Sequence, residues 1–347
     1  MAEIFEGVII VTSDRYSRQI LFAPIGPEGQ ERLNNSYAVV IGCGALGTVI
    51  ASGLVRAGVG KVRIVDRDFI EYHNLQRQIL FDEDDIKDNL PKAVAAERRL
   101  RKINSSIEIE GIVSDVNHTN IERLVEGADV IVDGLDNFEA RLLINDVSLK
   151  HNIPWIYGGA IGSTGMTMNI IPHKAACYRC LMPEKSTGAR ILTCDTAGVV
   201  NGTPWIIASL QTVETIKILI GSQEVNRYLV TIDVWNGDFR RLDIPRRDNC
   251  LACSGEYEFL DGKLSTKTTS LCGQNAVQVL SSGSFNISLK ELSDRLKPLG
   301  EVSYSNFMLQ FSTGGQEMVV FPDGRAIVKN THDEAYARGL YAKYVGT

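Results

Sequence analysis

At 347 residues, with 44% hydrophobic residues and a formal net charge of −6, the chain is globular in composition and long enough for more than one core. The acidic balance excludes a nucleic-acid binder that works through bulk positive charge. No apolar run reaches membrane-spanning length, and Val8-Ile9-Ile10-Val11 is too short for a signal peptide and lacks its basic flank, so a cytoplasmic protein without a membrane partner is expected.

Tyr37 to Ile41 is a short apolar run that reads as a strand. It enters Gly42-Cys43-Gly44-Ala45-Leu46-Gly47, where Gly42, Gly44 and Gly47 permit a tight turn close to a phosphate. Thr48 to Ala57 then reads as a helix whose N-terminus faces the anion. A second strand, Val62 to Val65, delivers Asp66, a carboxylate suited to ribose hydroxyls. So far a dinucleotide enzyme fits equally well. The next motifs add positive charge. Asn74-Leu75-Gln76-Arg77-Gln78 supplies neutral donors at Asn74 and Gln76 and a guanidinium fork at Arg77, and Pro91-Lys92 sets Lys92 at a helix opening as a point charge for phosphate. The strand Val130 to Asp133 runs into Gly134-Leu135-Asp136-Asn137, which puts Asp136 just past a strand C-terminus, where a carboxylate suits Mg²⁺ on phosphates. The competing reading makes Asp136 the N-cap of the helix from Phe138.

Strand and helix patterns alternate to about residue 160, implying a mainly parallel sheet. Gly158 to Pro172 reads as extended. Cys177-Tyr178-Arg179-Cys180 and Cys250-Leu251-Ala252-Cys253 each offer two thiolates to one tetrahedral Zn²⁺; disulfides are the alternative, disfavoured in a cytosolic chain. Between them, Met182 to Gly202 reads as a long loop carrying Cys194, with Arg190 the one nearby cation able to lower its pKa and Asp195 working the other way. Thr203 to Ile220, with Trp205, Ile206, Leu210 and Val213, reads as a buried helix stopped by Gly221. Tyr228 to Trp235 and Phe239 to Ile244 form a hairpin at Asn236-Gly237.

The last stretch has its own pattern. Residues 261–270 read as a linker, separating a domain of residues 1–260 from one of 271–347. In the latter, Ala276 to Leu280, Phe307 to Phe311, Met318 to Phe321 and Ala326 to Lys329 read as strands, and Leu289 to Leu296 and Asp333 to Tyr344 as helices, the last with Ala335, Leu340 and Tyr344 inward. The expected fold class is therefore α/β, a Rossmann-like mainly parallel sheet with a structural zinc site, followed by a small α+β domain.

The ordered set from Arg15-Tyr16-Ser17-Arg18-Gln19-Ile20 through the glycine turn, Asp66, Asn74 to Gln78, Lys92 and Asp133 to Asn137 to the second cysteine pair resembles the MoeB, ThiF and HesA group of the ubiquitin-activating-enzyme superfamily. The resemblance implies ATP-dependent adenylation of the C-terminal glycine of a small β-grasp sulfur-carrier protein ending in Gly-Gly. It implies Asp66 on the ATP ribose, Asn74, Arg77 and Lys92 on the phosphates, and Asp136 on Mg²⁺. It also implies a homodimer in which Arg18 reaches the partner's ATP, Cys194 as the cysteine that in some members links covalently to the carrier, and a sulfurtransferase as a further partner. The C-terminal domain matches in position the partner-docking domain of larger superfamily members. Two other readings differ in class: an NAD-dependent oxidoreductase, opposed by Arg77, Lys92 and Asp136, and a zinc-stabilised module that holds nucleotide without turnover.

Overall fold

A computed structural model describes residues 14–182, 197–264, 268–271, 275–279 and 287–346, and these fall into two compact units, 1–263 and 264–347. In the first unit eight strands form one sheet: β1 Tyr37–Ile41, β2 Lys61–Asp66, β3 Glu108–Val113, β4 Val130–Asp133, β5 Trp155–Ile161, β6 Thr164–Ile170, β7 Leu229–Asp233 and β8 Asp238–Leu242. Their order is β3-β2-β1-β4-β5-β6-β7-β8. The first five run parallel and the last three are added antiparallel, so the sheet is doubly wound on one side and a meander on the other. The strand order reverses between β1 and β4, and the C-terminal ends there open the crevice in which such sheets bind ligands.

Alternation along β1 explains how the sheet is buried on both faces. Ala38 and Val40 pack into one cluster with Ile50, Leu54, Val62, Ile64 and Ile207, while Val39 and Ile41 pack into the other with Val65, Ile131, Ile144, Val147 and Trp155. Four long helices cover the faces: α1 Ala45–Ala57, α2 Lys92–Ile103, α3 Phe138–His151 and α4 Gly202–Ile220. Their stops follow the chain chemistry, since Gly58, Asn152 and Gly221 all take the left-handed conformation at the C-caps of α1, α3 and α4.

Helix α4 departs from its expected burial. Ile206 and Val213 are exposed, whereas the inner stripe is Pro204, Ile207, Ala208, Gln211, Glu214 and Thr215. The inversion has a polar cause: the Gln211 amide reaches across the sheet and donates to the carbonyls of Asp133 at 2.9 Å and Ile156 at 3.2 Å. Gly158 leaves room for it, because a Cβ there would fall 2.4 Å from the Gln211 side chain.

The second unit holds a six-stranded antiparallel sheet in the order β11-β12-β13-β14-β10-β9, from β9 Thr268–Leu271, β10 Ala276–Val279, β11 Glu301–Tyr304, β12 Leu309–Thr313, β13 Gln316–Val320 and β14 Ala326–Lys329. Helices α5 Leu289–Leu296 and α6 Glu334–Tyr344 close its core, in which Leu292, Leu309, Phe311, Val320 and Val328 are buried. Two expectations shift here. The strand expected from Phe307 starts at Leu309, since the Ser305 hydroxyl accepts from the Phe307 and Met308 amides in a turn. In α6 the inward positions are Ala337 and Tyr341, with Leu340 and Tyr344 beside them, while Ala335 is exposed, as a 3.6-residue period through Tyr341 requires. Strands β9 and β11 carry little apolar alternation and are recognised only by their pairing. Leu280 lies outside the described residues.

Candidate functional site

The glycine turn is built by backbone contact. Gly42 has φ +92°, and its amide donates to the Val65 carbonyl at 2.8 Å, tying the end of β1 to β2. A Cβ on Gly47 would lie 1.9 Å from the Gly42 carbonyl, so the first turn of helix α1 packs directly against the glycine turn. Above Gly44 the nearest neighbours of a Cβ are 3.8 and 3.9 Å away, the latter being the Gln78 amide nitrogen.

Asp66 ends β2 under this turn. Its two oxygens accept from the Cys43 amide at 2.5 Å and the Asp68 amide at 2.7 Å, which fixes the carboxylate beside the turn with lone pairs left for hydroxyl donors. Burial pushes the Asp66 carboxyl up, against the opposing charge of Lys92 and the two amides. Lys92 opens α2 and is only 7% exposed. Its backbone amide donates to the Asp68 carbonyl at 2.9 Å and its ammonium pairs with the Asp68 carboxylate at 3.3 Å. Burial works against the Lys92 charge, but Asp68, Asp66 and Asp136 outweigh it and hold the ammonium above its ordinary value. The Lys92 ammonium thus sits in the field of three carboxylates at the strand ends.

Asp136 is exposed on the loop after β4. The helix cap that competed for it belongs instead to Asn137, whose Oδ1 accepts from the Ala140 amide at 2.9 Å, so the Asp136 carboxylate is not spent on capping. Asn74 is buried and its carbonyl oxygen caps the short turn by accepting from the Glu71 amide, which makes its amide nitrogen the half able to donate outward. Arg77, half-buried, donates to the His73 carbonyl at 2.8 Å, and its own carbonyl accepts from the Trp205 indole at 2.9 Å. Gln76, expected as a donor, is exposed; it is Gln78 that is buried against Gly44, with its Oε1 lacking a hydrogen-bond partner among the described residues. Arg18 is exposed on the helix Ser17–Ile20.

Sequence reasoning missed Arg67, Asp68 and Asp115. Arg67 pairs with Asp115 at 2.6 Å and Asp68 at 3.6 Å, and the field of Asp136 reaches it as well. Adjacency to Asp66 was the one available signal. The Asp133–Arg141 ion pair at 2.8 Å was also missed, since an Asp at a strand end and an Arg in a helix carry no pairing pattern.

The two C-x-x-C pairs converge. The sulfur atoms of Cys177, Cys180, Cys250 and Cys253 all lie within 4.8 Å of one another, with 177–180 at 3.8 Å, 177–250 at 3.5 Å and 180–253 at 3.7 Å. A tetrahedron with Zn–S bonds of about 2.3 Å has edges of roughly 3.8 Å, so the four sulfurs fit zinc, while disulfide bonding near 2 Å does not describe them. Cys194 lies outside the described residues, as does Cys272. No helix among the described residues is long and apolar enough to cross a membrane.

The ThiF family model matches residues 16–252. The sulfur carrier protein ThiS adenylyltransferase of Bacillus subtilis is 43% identical over 336 residues, covering 96% of this chain and 99% of that protein. The Escherichia coli protein of the same name is 36% identical over 242 residues, covering 70% of this chain and 95% of its own length. Among solved structures, E. coli MccB with AMPCPP and MccA superposes with a TM-score of 0.61 at 26% identity, covering 70% of this chain and 75% of that one.

Proposed function

From a chain that belongs to the ThiF family, we propose an ATP-dependent adenylyltransferase that activates the C-terminal glycine of a small β-grasp sulfur-carrier protein of the ThiS type. The observation that carries this reading is the burial of Lys92 among Asp66, Asp68 and Asp136 beside the glycine turn, a site for phosphate and metal charge rather than for hydride transfer.

The carrier's carboxylate is ionised at neutral pH and needs no general base. Its oxygen attacks the α-phosphorus in line, a new P–O bond forms, the bond to the β-phosphate bridging oxygen breaks, and pyrophosphate leaves with that electron pair. Asp66 orients the ribose, the amides at the start of α1 and Asn74 contact phosphate, and Arg77 and Lys92 neutralise charge as it moves to pyrophosphate. Gln78 joins this set in place of Gln76. Asp136 would hold Mg²⁺, which when bound supplies Lewis-acid neutralisation of the phosphates. The cysteine cluster would hold Zn²⁺ with no open position, a structural role.

In the same reading the enzyme is a homodimer with Arg18 reaching the partner's nucleotide, Cys194 receives the activated carrier by attacking the acyl-adenylate carbonyl and expelling AMP, and a sulfurtransferase supplies sulfur. The unit 264–347 serves as a docking domain for the carrier or the sulfur acceptor; the Bacillus relative aligns with 96% of this chain and the E. coli relative with 70% of it.

The test is carrier-dependent exchange of pyrophosphate into ATP with a purified ThiS-type carrier. Lys92→Met should lower it on the order of 10²-fold, the scale of one preorganised electrostatic group. Tighter binding of NAD than of ATP, or exchange indifferent to the carrier, would overturn the assignment.

A further inference from the structure

Asp136 is exposed, yet the chain on either side of it is held unusually fast. Asp133, fully buried at the end of β4, accepts from the Leu135 amide at 2.8 Å through one oxygen and from Arg141 Nε at 2.8 Å and the Gly158 amide at 3.2 Å through the other. Arg141, on α3, is 5% exposed, and its Nη2 donates to the Leu135 carbonyl at 2.5 Å and the Gly158 carbonyl at 2.9 Å. The Leu135 carbonyl belongs to the peptide unit that enters Asp136. On the near side, the Gly134 amide donates to the Ile41 carbonyl at 2.8 Å; on the far side, Asn137 is locked as the cap of α3. The Arg141 guanidinium also lies 5.2 Å from the Tyr157 ring centroid, which fixes the plane of its fork.

We propose that the buried Asp133–Arg141 pair is a positioning device that sets the peptide plane leading into Asp136 and so pre-orients the carboxylate that receives the nucleotide's divalent cation. This rests on the reading of Asp136 as the metal carboxylate. Stability alone is a poor reason for such a pair, because a buried ion pair replaced by packed apolar residues is commonly neutral or better. What apolar residues cannot supply is simultaneous bonding to the amide and the carbonyl of the one residue preceding Asp136. Lysine cannot supply it either, since its single nitrogen cannot reproduce a planar fork spanning Asp133, Leu135 and Gly158.

The test uses the zinc-loaded, full-length enzyme. In Arg141→Lys, the Mg²⁺ concentration for half-maximal carrier-dependent pyrophosphate exchange should rise about tenfold and kcat fall on the order of 10²-fold, the penalty of about 1 Å of misplacement. Mn²⁺ binding measured by electron paramagnetic resonance with a non-hydrolysable ATP analogue should weaken about tenfold, while ATP binding in EDTA stays within about twofold, a split that general loosening would not produce. A folded Arg141→Lys enzyme with unchanged Mg²⁺ and Mn²⁺ dependence overturns the proposal. Asp136→Asn separates the two readings: if it leaves metal dependence unchanged, Asp136 is not the metal carboxylate, whereas if it shifts metal dependence and Arg141→Lys does not, the pair has no positioning role. Should Arg141→Lys fail to fold, hydrogen exchange in the unaltered enzyme decides. The Leu135 amide should be protected about a hundredfold or more without nucleotide, and exchange at the rate of open chain overturns the idea.

Discussion

Gly134→Ala tests how the two halves of the site are registered. A Cβ at this position would lie 2.4 Å from the Gly42 carbonyl oxygen, 2.9 Å from Gly47 Cα and 3.1 Å from the Gly47 nitrogen, all of them backbone atoms of the nucleotide turn. No flexible side chain can yield, so relieving the contact to an ordinary separation of about 3.4 Å requires the Asp136 loop and the turn to part by roughly 1 Å. Overpacking of this size costs about 1–3 kcal/mol of stability, and roughly 2–4 °C per kcal/mol is expected for a unit of this length. A 1 Å shift between Asp136 and the phosphate-binding amides costs on the order of 10²-fold in rate. The variant should therefore fold, keep its zinc and melt several degrees lower, while pyrophosphate exchange falls about a hundredfold. Exchange within threefold of the parent enzyme would refute the argument that contact between Gly42 and Gly134 sets the active geometry.

Three further outcomes are expected. Elemental analysis should find about one zinc per chain, and Cys253→Ser should lose it and loosen the segments that carry the two cysteine pairs, 177–180 and 250–253; a zinc-free parent enzyme with four titratable thiols would exclude the site. Burial, opposed by hydrogen bonds from the Phe259 and Leu260 amides, raises the Asp146 carboxyl to about 6. Because the folded value lies above the unfolded one, its contribution is present below about pH 4 and is lost as pH rises through 6, so Asp146→Asn should stabilise by on the order of 3 kcal/mol at pH 7.5 and by about half as much at pH 5 in urea unfolding. An equal effect at both pH values would contradict this. Truncation after Lys263 should leave ATP binding intact and raise the carrier's KM; normal handling of the carrier would remove the docking role from the second unit.

The glycine turn, Asp66, Lys92 and the loop after β4 were legible because backbone constraints and strand ends leave local signatures: glycines, a short apolar run, then a charged residue. Both cysteine pairs were legible because ligand spacing is local even when the pairs are distant. Side-chain direction was not. Gln76 and Gln78 differ by two positions in an irregular turn, where neither a helical nor a strand period assigns a face, and only the fold shows Gln78 against Gly44. The buried stripe of α4 was misread because apolar residues were counted as inward, whereas the Gln211 amide satisfies carbonyls of the sheet and so occupies the inner face. Arg67–Asp115 escaped because the partner is set by the pairing of β2 with β3, and Asp133–Arg141 because an Asp at a strand end and an Arg within the following helix carry no pairing pattern.

The sulfur tetrahedron has a consequence for the unfolded chain as well as for the folded one. It knots together positions 73 residues apart, Cys177 with Cys250 and Cys180 with Cys253, so metal retained during denaturation would forbid most of the conformations that this length of chain otherwise explores. On a chain-entropy estimate, a covalent tie across a loop of that length is worth about 4 kcal/mol. Four thiolates around a bound zinc would supply that cross-link without any disulfide, and acid or a chelator would undo it.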